Sequence, residues 1–275
     1  MHDELVAFSE NELNERLHEI ISFLTFSKKP VDSPTAFLLG GQAGSGKTGL
    51  QRIIVEEMNN NIVVINNDTF KTLHPNFEEL VMRYGMRATK LVTPFSNRMT
   101  EEIIAFLAEQ RYNIVIEGTL RTVETPLKTA NLLKQHDYDV NLYIMAVPAQ
   151  LSYLGTLTRF EDMFANNPLT ARFTSKEIHD EMVEMLPINA EKLFDLQVFK
   201  EIKVYTRDGE CIYTTHDEPK KGPKAELETK MHAQLEQSDL QVYTELLFSK
   251  MILNNRYTPE AKDTVLMELE SYKIV

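Results

Sequence analysis

Eight residues constrain this chain more than any others: Gly41-Gln42-Ala43-Gly44-Ser45-Gly46-Lys47-Thr48, a complete G-x-x-x-x-G-K-[ST] run. Glycines at this spacing let the backbone curl until consecutive N–H groups converge, as phosphate oxygens require. Lys47 supplies a point charge for β- and γ-phosphates, and the Thr48 hydroxyl suits Mg²⁺. The run needs a strand before it and a helix after it. Thr35 to Leu39 is apolar and stops at Gly40-Gly41, and helical spacing runs from Lys47 to about Asn59. Such a helix turns its positive dipole end toward the anion. A chance glycine turn is the competing reading, but it would have to satisfy every motif position and both flanks together. The ligand expected is ATP or GTP with Mg²⁺. The chain carries no N-K-x-D base-reading motif, which favours ATP.

Composition narrows the rest. The chain has 275 residues, 43% hydrophobic and 25% charged, which excludes a disordered or fibrous protein. With 29 Lys+Arg against 41 Asp+Glu the net charge is −12. Nucleic acid and anionic membrane are therefore unfavourable partners, and any polyanionic ligand needs a local cluster of cations. The single cysteine, Cys211, excludes an internal disulfide and cysteine-based zinc sites. A cytoplasmic location is the default. The N-terminus lacks the pattern of a secretory signal, and no window reaches the roughly 18 apolar residues of a membrane helix.

Ser9-Glu10-Asn11-Glu12 has capping-box spacing, with Phe8 and Leu13 placed as a staple. A helix through Leu24 follows. It precedes the first strand, so it packs outside the sheet or on a partner. Strands are expected at 35–39, 61–65, 112–116 and 140–147, with a hairpin at 202–213. Helices are expected at 47–59, 99–110, 126–136, 151–164 and 175–186. This alternation predicts an α/β fold with a mostly parallel sheet flanked by helices. A polar stretch from Glu218 to Lys224 leads into strand-free segments at 225–235, 240–253 and 259–272. Residues 1–217 thus read as one unit, and 218–275 as a helical C-terminal extension.

Ligands of open parallel sheets lie beyond the carboxyl ends of the strands. Asp68 follows the second strand and reaches that rim. It suits a base that takes a proton from an attacking hydroxyl, or else a helix cap or water-mediated metal ligand. Glu117, Thr119 and Arg121 follow the third strand, as a metal ligand, a hydrogen-bonding group and an anion contact; a strand-end turn with a surface arginine is the bland alternative. Glu101, at a helix start, is either functional or a complement to the dipole. Arg159 and Arg172 follow the fourth strand, where a lid would carry arginines against a transferring phosphoryl group. For Arg159 an exposed pair with Asp162 competes. His74 reads as fixing a turn, His179 and His216 as surface residues, and Cys211 as packing.

These segments together resemble the zeta toxins, the kinase half of bacterial epsilon–zeta-type toxin–antitoxin pairs. The resemblance runs from about Leu5 to Tyr213. It is carried by Ser33 to Gln42, the phosphate loop, Asn67-Asp68-Thr69-Phe70-Lys71, His74-Pro75-Asn76-Phe77, Ser96 to Glu101, Tyr112 to Thr119, Met145 to Pro148, and Thr170-Ala171-Arg172. It implies a P-loop kinase fold and an ATP- and Mg²⁺-dependent kinase. The γ-phosphoryl group would go to the 3′-hydroxyl of the N-acetylglucosamine in UDP-N-acetylglucosamine. That product would block peptidoglycan precursor synthesis, and a cognate epsilon-like antitoxin would neutralise the kinase. The resemblance makes Asp68 the general base and Lys47 the phosphate-loop lysine. It makes Glu101, Thr119, Arg121 and Thr129 substrate ligands, and Arg159 and Arg172 phosphate contacts. Asn66 departs from the family, where Asp is common at this place, and Ala43 replaces the Pro of some members. The missing negative charge bears on Mg²⁺ but leaves Asp68 in place. Two rivals remain: a kinase of the same fold for an antibiotic or nucleoside, and a nucleotide-dependent binding module whose tail helices recruit a protein.

Overall fold

Strands whose side chains are apolar on both faces belong in the middle of a helix-covered sheet. The computed structural model describes residues 4–216 and 221–273. In it β1 (Thr35–Gly40), β2 (Val63–Ile65), β3 (Ile114–Glu117), β4 (Asp139–Met145), β5 (Glu201–Tyr205) and β6 (Cys211–Thr214) form one sheet in the order β2-β3-β1-β4-β5-β6. Every neighbouring pair is parallel except the β5–β6 hairpin. The helices are α1 (Glu10–Thr25), α2 (Lys47–Glu57), α3 (Asn67–Phe70), α4 (Phe77–Tyr84), α5 (Ala88–Leu91), α6 (Thr93–Glu109), α7 (Glu124–Gln135), α8 (Ala149–Asn166), α9 (Lys176–Asp195), α10 (Lys224–Met231), α11 (Gln237–Leu253) and α12 (Pro259–Glu270).

Alternation along β1 divides the core. Ala36 and Leu38 face a cluster that includes Ile103 and Leu107 of α6, while Phe37 and Leu39 face Leu50 and Ile54 of α2. The expected capping box starts α1: Ser9 N–H donates to Glu12 Oε2 at 2.8 Å and Glu12 N–H donates to Ser9 Oγ at 3.3 Å. Leu13 and Leu17 bury α1 in the α6 side of the core, so this helix is covered by the chain's own core. His74 fixes a turn, as its place beside Pro75 suggests. Its Nδ1 accepts from Asn76 N–H at 3.2 Å, and its ring stands edge-on to Phe8 and Phe95.

Four local expectations change. Helix α6 starts at Thr93 with Pro94 in its first turn, so Glu101 sits mid-helix and does not meet the dipole end. Helix α9 continues through Pro187 to Asp195, because Leu186, Pro187, Ala190 and Leu193 are all buried there and packing outweighs the lost hydrogen bond. His179 is fully buried, not superficial. It lies 2.9 Å from Ser152 Oγ through Nε2 and 2.8 Å from Tyr272 OH through Nδ1, and Tyr272 donates to Asp180 at 2.7 Å. Burial draws the His179 pKa down to about 4, so the ring is neutral. Cys211 is exposed, with Sγ 3.3 Å from the Tyr213 carbonyl, because it lies on the edge strand β6.

The C-terminal helices pack on α8 and α9. Leu247 and Met251 of α11, with Val265 and Leu269 of α12, join Tyr153, Leu154 and Leu157 of α8 in one buried cluster. Residues 217–220, where the expected linker and boundary begin, lie outside the described residues. Among the described residues no helix is long and apolar enough to cross a membrane.

Candidate active site

The phosphate loop joins β1 to α2 at the sheet's carboxyl rim, where the strand order reverses: the chain leaves β1 toward β2, while its neighbours β3 and β4 lead the other way. Gly41, Gly44 and Gly46 take φ of 146°, 74° and 92°, which side-chain-bearing residues rarely adopt. Gln42 Nε2 donates to the Val147 carbonyl at 2.8 Å and ties the loop to the chain after β4. Lys47 is buried and its Nζ donates to the carbonyls of Gly41 and Gln42 at 2.8 and 3.0 Å. Burial pulls this ammonium down to about 8; Glu117 and Asp68 oppose the shift and Arg159 adds to it. The Ser45 hydroxyl and Gln42 Oε1 are buried with no partner among the described residues.

Helix α3 delivers Asp68. Its N-cap is Asn66, whose Oδ1 accepts from Asp68 N–H at 3.0 Å, so Asp68 is not itself the cap. Asn67 locks α3 to α6 by donating to Asn97 Oδ1 at 3.0 Å and Thr100 Oγ1 at 2.9 Å. The Asp68 carboxylate pairs with Arg172 and, at 2.9 Å, with Lys71. Partial burial pushes its pKa up, but Arg172, Lys71 and Arg159 together hold it below the ordinary carboxylate value. Helical spacing puts Lys71 within reach, three residues after Asp68, but only geometry shows the pair.

Glu117 ends β3, paired in register with Leu39 of β1. It lines a cleft of about 300 Å³ with Lys47, Thr48 and Arg159. Asn66 Nδ2 donates to Glu117 Oε2 at 2.7 Å. Asn66 therefore places a neutral donor against a carboxylate. A second cleft, about 350 Å³, holds Asp68, Lys71 and Arg172. Arg159 is exposed and lines the first cleft; the expected pair with Asp162 is not formed, because Asp162 pairs with Lys250. Desolvation and the neighbouring Arg172 cation lower the Arg159 pKa, while Asp68 and Glu117 oppose that.

The other expected residues lie apart. Glu101 on α6 pairs with Lys128 of α7 at 2.9 Å and both are exposed. Thr129 is half-buried on α7, Thr119 is half-buried after β3, and Arg121 is exposed. None of these four lines either cleft.

Mg²⁺ is compatible with this donor set. Among the described residues no group of three or more His, Cys, Asp or Glu could cage a metal. Mg²⁺ beside a nucleotide needs only one or two protein oxygens, since phosphates and water complete its shell. Thr48 and Glu117, on one cleft, meet that need.

Asn66→Asp is expected to lower the Mg²⁺ concentration for half-maximal turnover by about three- to tenfold, since one added charge nearby contributes roughly 1 kcal/mol. Without the metal, stability should fall, because the Asn66 amide donor to Glu117 gives way to a second carboxylate at the same place, even though Asp caps α3 as well as Asn. A Mg²⁺ titration of ADP release checks this, and an unchanged midpoint contradicts it.

A phosphate loop on a mostly parallel sheet, faced by a carboxylate and two arginines, defines a P-loop phosphotransferase. The chain matches the Zeta toxin family over residues 22–218. It is 48% identical over 263 residues to Toxin zeta of Streptococcus pyogenes, spanning 95% of this chain and 90% of that one. To Toxin PezT of Streptococcus pneumoniae serotype 4 it is 42% identical over 214 residues, 78% of this chain and 85% of the other. A solved chain from the PezAT chromosomal toxin–antitoxin system of that species superposes with a TM-score of 0.78 at 34% identity, covering 98% of this chain and 100% of that one. AvrRxo1-ORF1:-ORF2 with ATP, at 16% identity and a TM-score of 0.53, shares the fold alone. The chain belongs to the zeta toxin family.

Proposed function

We propose that this chain is the cytoplasmic toxin of a toxin–antitoxin pair and transfers the γ-phosphoryl group of ATP to the 3′-hydroxyl of the amino sugar in UDP-N-acetylglucosamine. The observation that carries the reading is the charge constellation at one rim. Asp68, bracketed by Arg172 and Lys71, acts electrostatically on the same Lys47 that sits in the phosphate loop.

The loop's N–H groups and the Ser45 hydroxyl, a buried donor without a protein partner, receive phosphate oxygens. Asp68 orients the acceptor hydroxyl and takes its proton as the oxygen bonds to the γ-phosphorus. Its lowered pKa keeps it ionised at neutral pH, ready to accept. The bond from the γ-phosphorus to the bridging oxygen breaks, and ADP leaves. Lys47, Arg159 and Arg172 neutralise charge on the transferring oxygens, Lys47 exchanging its loop carbonyls and Arg172 its Asp68 partner for them. Thr48 and Glu117 would hold Mg²⁺, which when bound offsets charge on the β- and γ-phosphates. We assign the acceptor contacts to Glu101, Thr119, Arg121 and Thr129 on family resemblance, with Glu101 first exchanging its Lys128 partner. The partner is an epsilon-like antitoxin, as the toxin–antitoxin setting of the solved PezAT relative suggests.

Incubating the full chain with ATP, Mg²⁺ and UDP-N-acetylglucosamine and weighing the products tests the reading. One added phosphoryl group on the sugar nucleotide is expected. ADP formation that does not depend on the sugar, or that depends on another hydroxyl compound, overturns the substrate assignment.

Lys47 also sets a pH dependence. ATP binds the protonated ammonium, and the unliganded protein loses that proton near pH 8. Above that value binding must take up a proton, so affinity should fall by up to about tenfold per pH unit. Stability shifts the other way. An unfolded lysine titrates near 10.4, so between about 8 and 10.4 the unfolded chain holds more protons and this group adds stability as pH rises. Equilibrium dialysis with ATP from pH 7 to 9.5 should show the decline in the native protein and a shallower one in Lys47→Arg, which stays charged. Equal slopes contradict the assignment.

A further inference from the structure

The cleft that holds Lys47 has one wall that belongs neither to the phosphate loop nor to the sheet rim. Tyr243 and Leu246 of α11 line it, facing Leu151 and Leu154 of α8. Arg207, just after β5, stands between this wall and the loop. Its guanidinium lies 5.8 Å from the Tyr243 ring centroid, and its Nε is 3.6 Å from where a side chain on Gly46 would begin. The cleft therefore changes character along its length. One end is a phosphate cradle, and the other is an apolar corner capped by a guanidinium stacked near a phenol ring. A flat heteroaromatic ring prefers such a corner, through stacking and burial.

Two further observations support a ligand there. Leu246 lines the cleft yet is 47% exposed, apolar surface that would be covered by a ring entering there. The wall is also held in place. Beneath it Leu247 and Met251 are buried against α8. Just past α11, Asn254 donates to Glu161 Oε2 at 2.8 Å, and Arg256 pairs with Glu161 at 3.0 Å. Tyr243 itself packs against both the α2-side core and the tail cluster, so it couples the extension to the loop's supporting layer.

We infer that α11 of the C-terminal extension forms a wall of the nucleobase pocket for the phosphate donor, with Tyr243 and Leu246 contacting the base and Arg207 closing it from the loop side. This rests on the phosphate loop being the donor site. The extension is then part of the nucleotide site and not an accessory to it.

The test compares affinities of the full chain for ATP, inorganic tripolyphosphate and UDP, in the native protein and in Leu246→Ser, an exposed and uncharged truncation. Losing roughly 40–60 Å² of apolar contact should weaken ATP by about five- to tenfold. Tripolyphosphate, which has no base, and UDP should bind as before. Tyr243→Leu should repeat the pattern. The inference is overturned if ATP affinity is unchanged, if tripolyphosphate weakens in parallel, or if UDP is the ligand that weakens. Failure of the native protein to bind either ATP or tripolyphosphate is a distinct result, and it overturns the donor-site reading as well.

Discussion

Asp68→Asn should leave ATP bound and sugar phosphorylation nearly abolished. The substitution keeps the shape of the side chain and its place on α3, since Asn66 caps that helix and Asn67 fastens it to α6. In the proposed mechanism it removes the group that takes the hydroxyl proton, a contribution of about 10²- to 10⁴-fold in rate. It also releases Arg172 and Lys71 from their carboxylate partner. Two cations freed near the phosphates will not weaken ATP binding and should strengthen it slightly. The distinguishing result is therefore a fall in kcat with ATP affinity equal or better. A fall in both together would mean that Asp68 orders the site, and turnover at the native rate would remove it from the base role. Arg172→Ala gives the complementary pattern, because it deprives Asp68 of its strongest opposing charge and the transferring oxygens of a cation.

The contrast between what is legible in the sequence and what is not follows the range of the interactions. The phosphate loop, the buried strands and the Ser9 capping box depend on residues within about one turn or one strand of each other, and they stand in the structure as spacing predicts. Asp68 and Glu117 reach the shared rim by the rule that strand ends meet there. Their partners are not legible. The Asn66–Glu117 bond spans 51 positions, and Arg172 reaches Asp68 from the loop between α8 and α9. His179 reads as a surface residue because its partners, Ser152 and Tyr272, lie 27 and 93 residues away. Local pattern has no access to such pairings. Pro187 misleads for the opposite reason: a strong local stop signal is overridden by burial of its neighbours on α9. The role of α11 as a cleft wall is invisible for want of any motif, and its apolar residues read simply as helix.

Gly44→Ala should damage the protein as severely as it damages the site. A side chain at Gly44 would begin 2.0 Å from the Ser152 carbonyl oxygen and 2.6 Å from the Thr156 nitrogen, both backbone atoms of α8. Neither can swing aside, so loop or helix must shift. The φ of 74° adds strain for any L-residue, about 1–2 kcal/mol. Forced overpacking adds about 1–3 kcal/mol. The sum, about 2–5 kcal/mol, corresponds to a fall in Tm of roughly 5–15 °C for a chain of this size. Gly155 makes the contact reciprocal, since a side chain there would begin 2.5 Å from the Gly44 carbonyl oxygen. Gly155→Ala should thus resemble Gly44→Ala, and the double variant should cost less than the sum, because one displacement relieves both clashes. Gly46→Ala is the control. Its φ of 92° is strained, but the nearest atom, Arg207 Nε, is 3.6 Å away, so only the conformational cost applies. Thermal unfolding of the four variants separates the two effects. Equal losses at Gly44 and Gly46 would show that backbone strain alone governs the loop; a larger loss at Gly44 and Gly155 identifies α8, the helix that also carries Arg159 and packs against α11, as the surface on which the loop is seated.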